Sequence, residues 1–188
     1  MEAGQKVQAL EYYDTPTLVF HWLTALLIVI LMGTALVWHY VTPHDHFWRP
    51  VLESTHVSLG IFFGALIVVR LVWRLIGTRR LPTEAGLSGL LSQTMYVALY
   101  ILLAAESILG FALRWLQGEE FSFFGLFPIP ALLGQNRPLA EQFEDLHNWI
   151  AWAIIVLAAG HAAAALFHHY VLKDAVLSRM LFRRSAQE

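Results

Sequence analysis

The 188-residue sequence contains no cysteine. That excludes disulfides, thiolate metal sites, iron–sulfur clusters and covalent attachment of a c-type haem, so any cofactor here is held non-covalently. Charge is scarce as well. Asp, Glu, Lys and Arg make up 14% of the chain, against ~25% in an average soluble protein. The few charges lie between long apolar runs rather than scattered through them, which is the pattern of an integral membrane protein. A cleavable leader is also missing from the expectation. Residues 1–17 mix charges of both signs, and no small-residue cleavage site follows a short apolar core, so the first apolar run reads as a retained helix. The formal net charge of −2 says little about partners, and nucleic acid is not among those expected.

What is present is apolar: 57% of residues are hydrophobic, and the mean hydropathy is +0.56. Four stretches are long enough to cross a bilayer, approximately 18–38, 51–76, 90–115 and 144–170. No internal repeat divides the chain. The expected fold is therefore all-α, a four-transmembrane-helix bundle forming a single membrane domain over residues 1–188. Lys6, Arg74, Arg79, Arg80, Lys173, Arg179, Arg183 and Arg184 would lie on one side, and Arg49, Arg114 and Arg137 on the other. This bias places both termini in the cytoplasm of a multi-pass protein of the bacterial inner membrane. The aromatic, proline-rich stretch 121–130 is too short to span and suits the outer interface, as a flap over the mouth of the bundle.

Histidine is the anomaly. Nine occur in this apolar chain, and the fourth run carries His147, His161 and His168, spaced by 14 and then 7 residues. Fourteen residues return a helix to nearly the same face ~21 Å further along. His147 then lies near the outer surface and His161 toward the cytoplasm, buried among Ala and Leu. By depth, His56 of the second run matches His147, and His21 of the first matches His161. Each pair is accompanied by small residues: Ala158, Gly160, Ala164 and Ala165 around His161, Ala151 after His147, and Gly60 and Gly64 after His56. Such slots suit a planar macrocycle. A structural metal ion would gather about four ligands at one depth, and only two are found at each.

Other polar residues read less sharply. Arg70 follows His56 by 14 residues and reaches the depth of the inner pair, where it would bind a haem propionate or snorkel to the interface. His168 would line a quinone pocket at the cytoplasmic interface, or face water beside basic residues. Glu106 and Ser107 are buried polar groups whose partners are not legible. His39, His44 and His46 read as solvated loop residues.

Phe20-His21-Trp22, His56-Val57-Ser58-Leu59-Gly60-Ile61 with Arg70 and Arg74, Phe124-Gly125-Leu126, Leu146-His147, and Gly160-His161-Ala162-Ala163-Ala164 through His168-His169-Tyr170-Val171-Leu172-Lys173-Asp174 complete a recognisable set. On these residues the chain resembles the bacterial cytochrome b561 family of small four-helix, two-haem membrane proteins, over nearly its whole length. The resemblance implies two b-type haems per chain, with His21 and His161 as axial iron ligands of one and His56 and His147 of the other. It also implies ubiquinone chemistry at the cytoplasmic side near His168. At least one member type passes electrons from superoxide at the outer face to quinone.

The resulting expectation is a membrane electron conduit from an outer-face donor, superoxide among the candidates, to ubiquinone. If catalytic, it would be a superoxide:quinone or other quinone-linked oxidoreductase. The alternative is a cytochrome b anchor and electron-transfer subunit of a membrane-bound dehydrogenase complex, docking through Trp48, Arg49 and the Phe-rich loop. A haem-free, His-rich metal transporter or sensor is a third reading. Membrane lipid, quinone and an unidentified outer donor are the expected partners, and an oligomer is compatible with all three readings.

Overall fold

In the computed structural model, residues 12–77 and 86–181 are described. Lys6, Arg79, Arg80, Arg183 and Arg184, invoked above, lie outside the described residues. Four helices dominate: α1 (Thr15–Leu36), α2 (Trp48–Ile76), α3 (Leu87–Gln117) and α4 (Arg137–Phe167). Each is long and apolar enough to cross a membrane, so the protein is a four-helix membrane bundle. α1 and α4 each run on for one wide π-helical turn, Val37–Val41 and His168–Leu172.

The helix ends follow local chemistry. Pro16 occupies the first turn of α1, where its missing N–H is no loss. Asn136 caps α4 by accepting from Leu139 N at 3.2 Å, with Pro138 just inside. α3 stops at Gly118, which adopts the left-handed conformation (φ 73°) that favours glycine. Asp45 accepts from the backbone N–H groups of Phe47 and Trp48 at the head of α2, and those bonds hold its carboxyl below the usual carboxylate range. α4 begins at Arg137, seven residues before the apolar span expected at 144. Its first two turns are polar and form a helix outside the hydrocarbon layer, so helix and span do not coincide.

α1 packs mainly on α2, and α3 mainly on α4. The buried core lies midway along the bundle, where Leu27 of α1, Phe63, Leu66 and Ile67 of α2, Leu103 of α3 and Ile154 of α4 meet. In lipid such a core is held by close packing rather than by exclusion of water. Outward faces stay apolar and exposed, as on Val68, Leu75, Ile108 and Val156, which suits contact with acyl chains.

The stretch after α3 is a small antiparallel hairpin, β1 (Ser122–Phe123) with β2 (Phe127–Pro128). Phe124 and Gly125 both have positive φ (47° and 72°), and Leu126 N donates to Phe123 O, which makes a tight primed turn. The hairpin is fastened to α2. Ser58, fully buried, donates to Ser122 O at 3.4 Å and accepts from Phe124 N at 3.0 Å. Phe121 is buried and packs its ring on Phe111 of α3. The loop is thus pinned to the helices rather than lying free over the mouth.

Candidate cofactor sites

Two pairs of imidazoles face each other across the bundle. His56 of α2 and His147 of α4 have ring centroids 6.4 Å apart. His21 of α1 and His161 of α4 have centroids 6.3 Å apart. A metal–nitrogen bond of about 2.0 Å plus the ring radius, counted on both sides of one metal, comes to about 6 Å. Each pair is spaced to hold one metal between its rings. Among the described residues, no group of three or more His, Asp or Glu side chains gathers to bind an ion.

The outer pair is the more elaborated. His56 Nδ1 lies 3.0 Å from Leu31 O and 3.1 Å from Thr34 Oγ1. Thr34 Oγ1 donates to Leu31 O at 2.9 Å, so it can only accept from the ring. The network therefore places the proton on Nδ1 and leaves Nε2 with its lone pair, the tautomer a metal requires. Trp38 sets its edge against the same ring at 4.9 Å. Across the site, His147 Nδ1 is 3.3 Å from Glu106 Oε1, close but outside hydrogen-bond alignment, and Glu106 Oε2 is buried without a partner.

A cavity of about 840 Å³ opens around this pair, of the size that takes a large cofactor. A Cβ on Gly60 would meet nothing within 4 Å, whereas one on Gly110 would stand 3.4 Å from His147 Cε1. Gly60 thus leaves open space beside the pair, and Gly110 places α3 in van der Waals reach of the His147 ring. Seven charged residues line the cavity: Glu53, Glu106, Glu119, Glu144 and Asp145 against Arg49 and Arg114. Arg114 is already clamped by Glu53 at 2.8 Å and Glu119 at 2.9 Å. His39, His44 and His46 are exposed.

The inner pair is more open. His161 is exposed, not buried as its neighbours in sequence had implied. Ala158, Gly160, Ala162, Ala163 and Ala164 beside it are all small, and a Cβ on Gly160 would meet nothing within 4 Å. Arg70 stands within electrostatic reach of both His21 and His161. Its Nε donates to Tyr100 Oη at 2.9 Å, with the guanidinium 5.1 Å from that ring's centre, so α3 braces the cation at this depth.

His168 lies half-buried in the closing turn of α4, its Nδ1 bonded to Asp174 Oδ2 at 2.5 Å. Burial pushes the Asp174 carboxyl up. The hydrogen bonds from His168 and Val176 N, with the nearby His168 and Arg179 charges, outweigh it and hold the group below its ordinary value. The segment after α4 folds back under α1, where Trp22 Nε1 donates to Met180 O at 2.9 Å and Tyr13 N to Arg179 O at 3.4 Å.

Thr34 and Tyr100 were not singled out from the sequence, and Asp174 entered only as the end of the His168–Asp174 motif. Thr34 lies 13 residues after His21 on the first run, at the depth of His56. Glu106 was noticed but had no partner until α4 was placed beside it.

A family described as prokaryotic cytochrome b561 matches residues 12–183. "Cytochrome b561 homolog 2" of Escherichia coli strain K12 is 33% identical over 94% of this chain and 94% of its own length. "Probable superoxide oxidase CybB" of Yersinia pestis is 30% identical, covering 86% of this chain and 90% of the relative. "Probable Ni/Fe-hydrogenase B-type cytochrome subunit" of Bradyrhizobium diazoefficiens is 20% identical, over 90% and 83% respectively. Taken with the bundle and its facing histidines, this match makes the chain a member of the prokaryotic cytochrome b561 family, a bacterial membrane electron-transfer protein whose cofactor is haem b.

Proposed function

We propose that the protein carries two b haems and conducts electrons from an outer-face donor to ubiquinone at the cytoplasmic side, with both termini inside. The observation that carries this reading is the presence of two histidine pairs at metal-bridging spacing near opposite ends of one bundle. The surroundings fit a bulky group: the cavity by His56 and His147 includes Gly60, Gly110 and Ala151 beside the rings, and Gly160 leaves open space next to His161. Haem b, when bound, supplies a one-electron iron couple.

The chain's residues do the rest. His21 and His161 would hold one haem iron, and His56 and His147 the other, each by two imidazoles. Arg70 would pair with a carboxylate of the haem nearer His161. His168, with Nδ1 fixed by Asp174, turns its other nitrogen to a quinone oxygen at the inner interface.

Superoxide is the outer donor in the first reading, after the name of the Yersinia relative. A second reading has specific support. Five carboxylates against two guanidiniums line the outer cavity, a field that does not steer a small anion inward. It favours delivery from a larger redox partner, and the Bradyrhizobium relative is named as the b-type cytochrome subunit of a Ni/Fe-hydrogenase.

The test is a dithionite-reduced minus oxidised spectrum of detergent-purified protein, with pyridine-haemochrome quantification. Two b haems per chain are expected, one of which is lost in His21→Ala or His161→Ala and the other in His56→Ala or His147→Ala. One haem per chain would remove the two-site path, and none would sink the cytochrome reading for this pair geometry. Reduction by superoxide alone, against reduction only with a co-purifying partner, separates the two donors.

A further inference from the structure

His21 and His161 face each other with ring centroids 6.3 Å apart, yet their helices pack mainly on other partners, α1 on α2 and α4 on α3. The end of α1 beside His21 is held on the α2 side by Trp73, whose Nε1 donates to Asp14 Oδ2 at 3.1 Å and Thr17 Oγ1 at 3.3 Å. The tie to α4 runs through the chain that follows it. Lys173 turns the backbone in the left-handed conformation (φ 55°), uncommon for a residue with a side chain. Asp174 then accepts from His168 Nδ1 at 2.5 Å through one oxygen and from Val176 N at 3.0 Å through the other. Residues 174–180 are half-buried. At the far end of this segment, Met180 O accepts from Trp22 Nε1 at 2.9 Å, and Arg179 O from Tyr13 N at 3.4 Å. Trp22 in turn stands nearly perpendicular to the His21 imidazole, with ring centroids 5.3 Å apart.

A continuous path therefore joins the two helices: α4, His168, Asp174, Met180, Trp22, His21. We propose that residues 173–181 form a strap that holds His21 facing His161, with Asp174 and Trp22 as the positioning residues at its two ends. Neither touches the iron site itself. Asp174 fastens the strap to the last turn of α4, and Trp22 passes its position to the neighbouring imidazole. Groups behind a metal-binding imidazole fix its direction and so its hold on the metal. His56 has such groups on its own helix pair, Leu31 O and Thr34 Oγ1. At His21 the strap takes that part, which makes this ligand depend on the chain after α4. The inference rests on the two-haem reading.

The measurement is the rate of carbon monoxide uptake by the dithionite-reduced holoprotein, since carbon monoxide reaches a doubly ligated ferrous iron only while one axial nitrogen is off. His147→Ala, keeping the haem of the His21–His161 pair, and His161→Ala, keeping the other, assign the rates. Trp22→Phe removes the donor to Met180 and keeps a ring beside His21. Asp174→Ala removes the acceptor at the other end. Each should speed uptake about five- to tenfold in the His147→Ala background, the effect of one lost hydrogen bond, and leave the rate in the His161→Ala background unchanged. Asp174→Asn, which keeps an acceptor for His168, should return toward the parent rate. In the otherwise unaltered chain, loss of the His21–His161 haem alone would be the stronger form of the same result. Unchanged rates, equal acceleration in both backgrounds, or loss of both haems together would overturn the strap. A haem count below two in the parent protein marks failure of the two-haem reading instead.

Discussion

Under the proposed two-haem reading, four histidines would share one chemical requirement: each would offer a bare nitrogen while its other nitrogen keeps a proton and a fixed direction. His56 meets it through two acceptors on the neighbouring helix, Leu31 O and Thr34 Oγ1. Partners of this kind typically change metal affinity by 10–100-fold when removed. Thr34→Val deletes one acceptor and leaves Leu31 O, so the expected loss is at the low end, about tenfold in outer-haem affinity. Haem transfer to an apoprotein acceptor measures it, and an unchanged rate would mean Leu31 O suffices. At this scale the sequence was informative about depth and poor about contact. The 14-residue spacing marked His147 and His161 because helical periodicity is local to one chain segment. The Glu106–His147 contact depends on how α3 is rotated against α4, which no single segment encodes.

Elements come next, and the hairpin at 122–128 is the instructive one. Ser58 lies ten residues into α2, ~15 Å from its outer end by helical rise. Irregular backbone near that depth survives only if its polar groups are satisfied internally. Ser58 does this for β1 at Ser122 and for the turn at Phe124, with Phe121 anchoring the entry. Ser58→Ala should cost about 1–3 kcal/mol, the price of leaving buried backbone groups unpaired. A lowered Tm in detergent, with cleavage appearing in 121–130 under limited proteolysis, is the expected signature. An unchanged Tm would show that the aromatic packing holds the hairpin alone. The sequence could place this loop at the interface from its aromatics, but not pin it, since a lone Ser inside an apolar run has many partners open to it. The wide turns at the ends of α1 and α4 likewise leave no local sign in composition.

The whole molecule was the most legible scale. Four apolar runs of spanning length, with charges confined between them, leave a membrane bundle as the economical fold. What required coordinates was the division of the interior: α1 with α2, α3 with α4, and a packed apolar centre where all four helices meet.

That centre has an electrical consequence. Ile154, 3% exposed, lies seven residues from each of the two α4 histidines, at the heart of the packed layer. Water and ions have no passage there, whereas an electron can tunnel. The sites are ~21 Å apart in a hydrocarbon layer of ~30 Å. An electron moving inward therefore works against an inside-negative membrane potential. Crossing the full layer costs about 2.3 kcal/mol per 100 mV, and this separation takes roughly two-thirds of it. In sealed vesicles with a potassium diffusion potential, inside negative, the outer haem should become more reduced relative to the inner. The shift should be about tenfold per 100 mV and vanish when the gradient collapses. The bundle would then be a load on the membrane voltage as well as a wire through it.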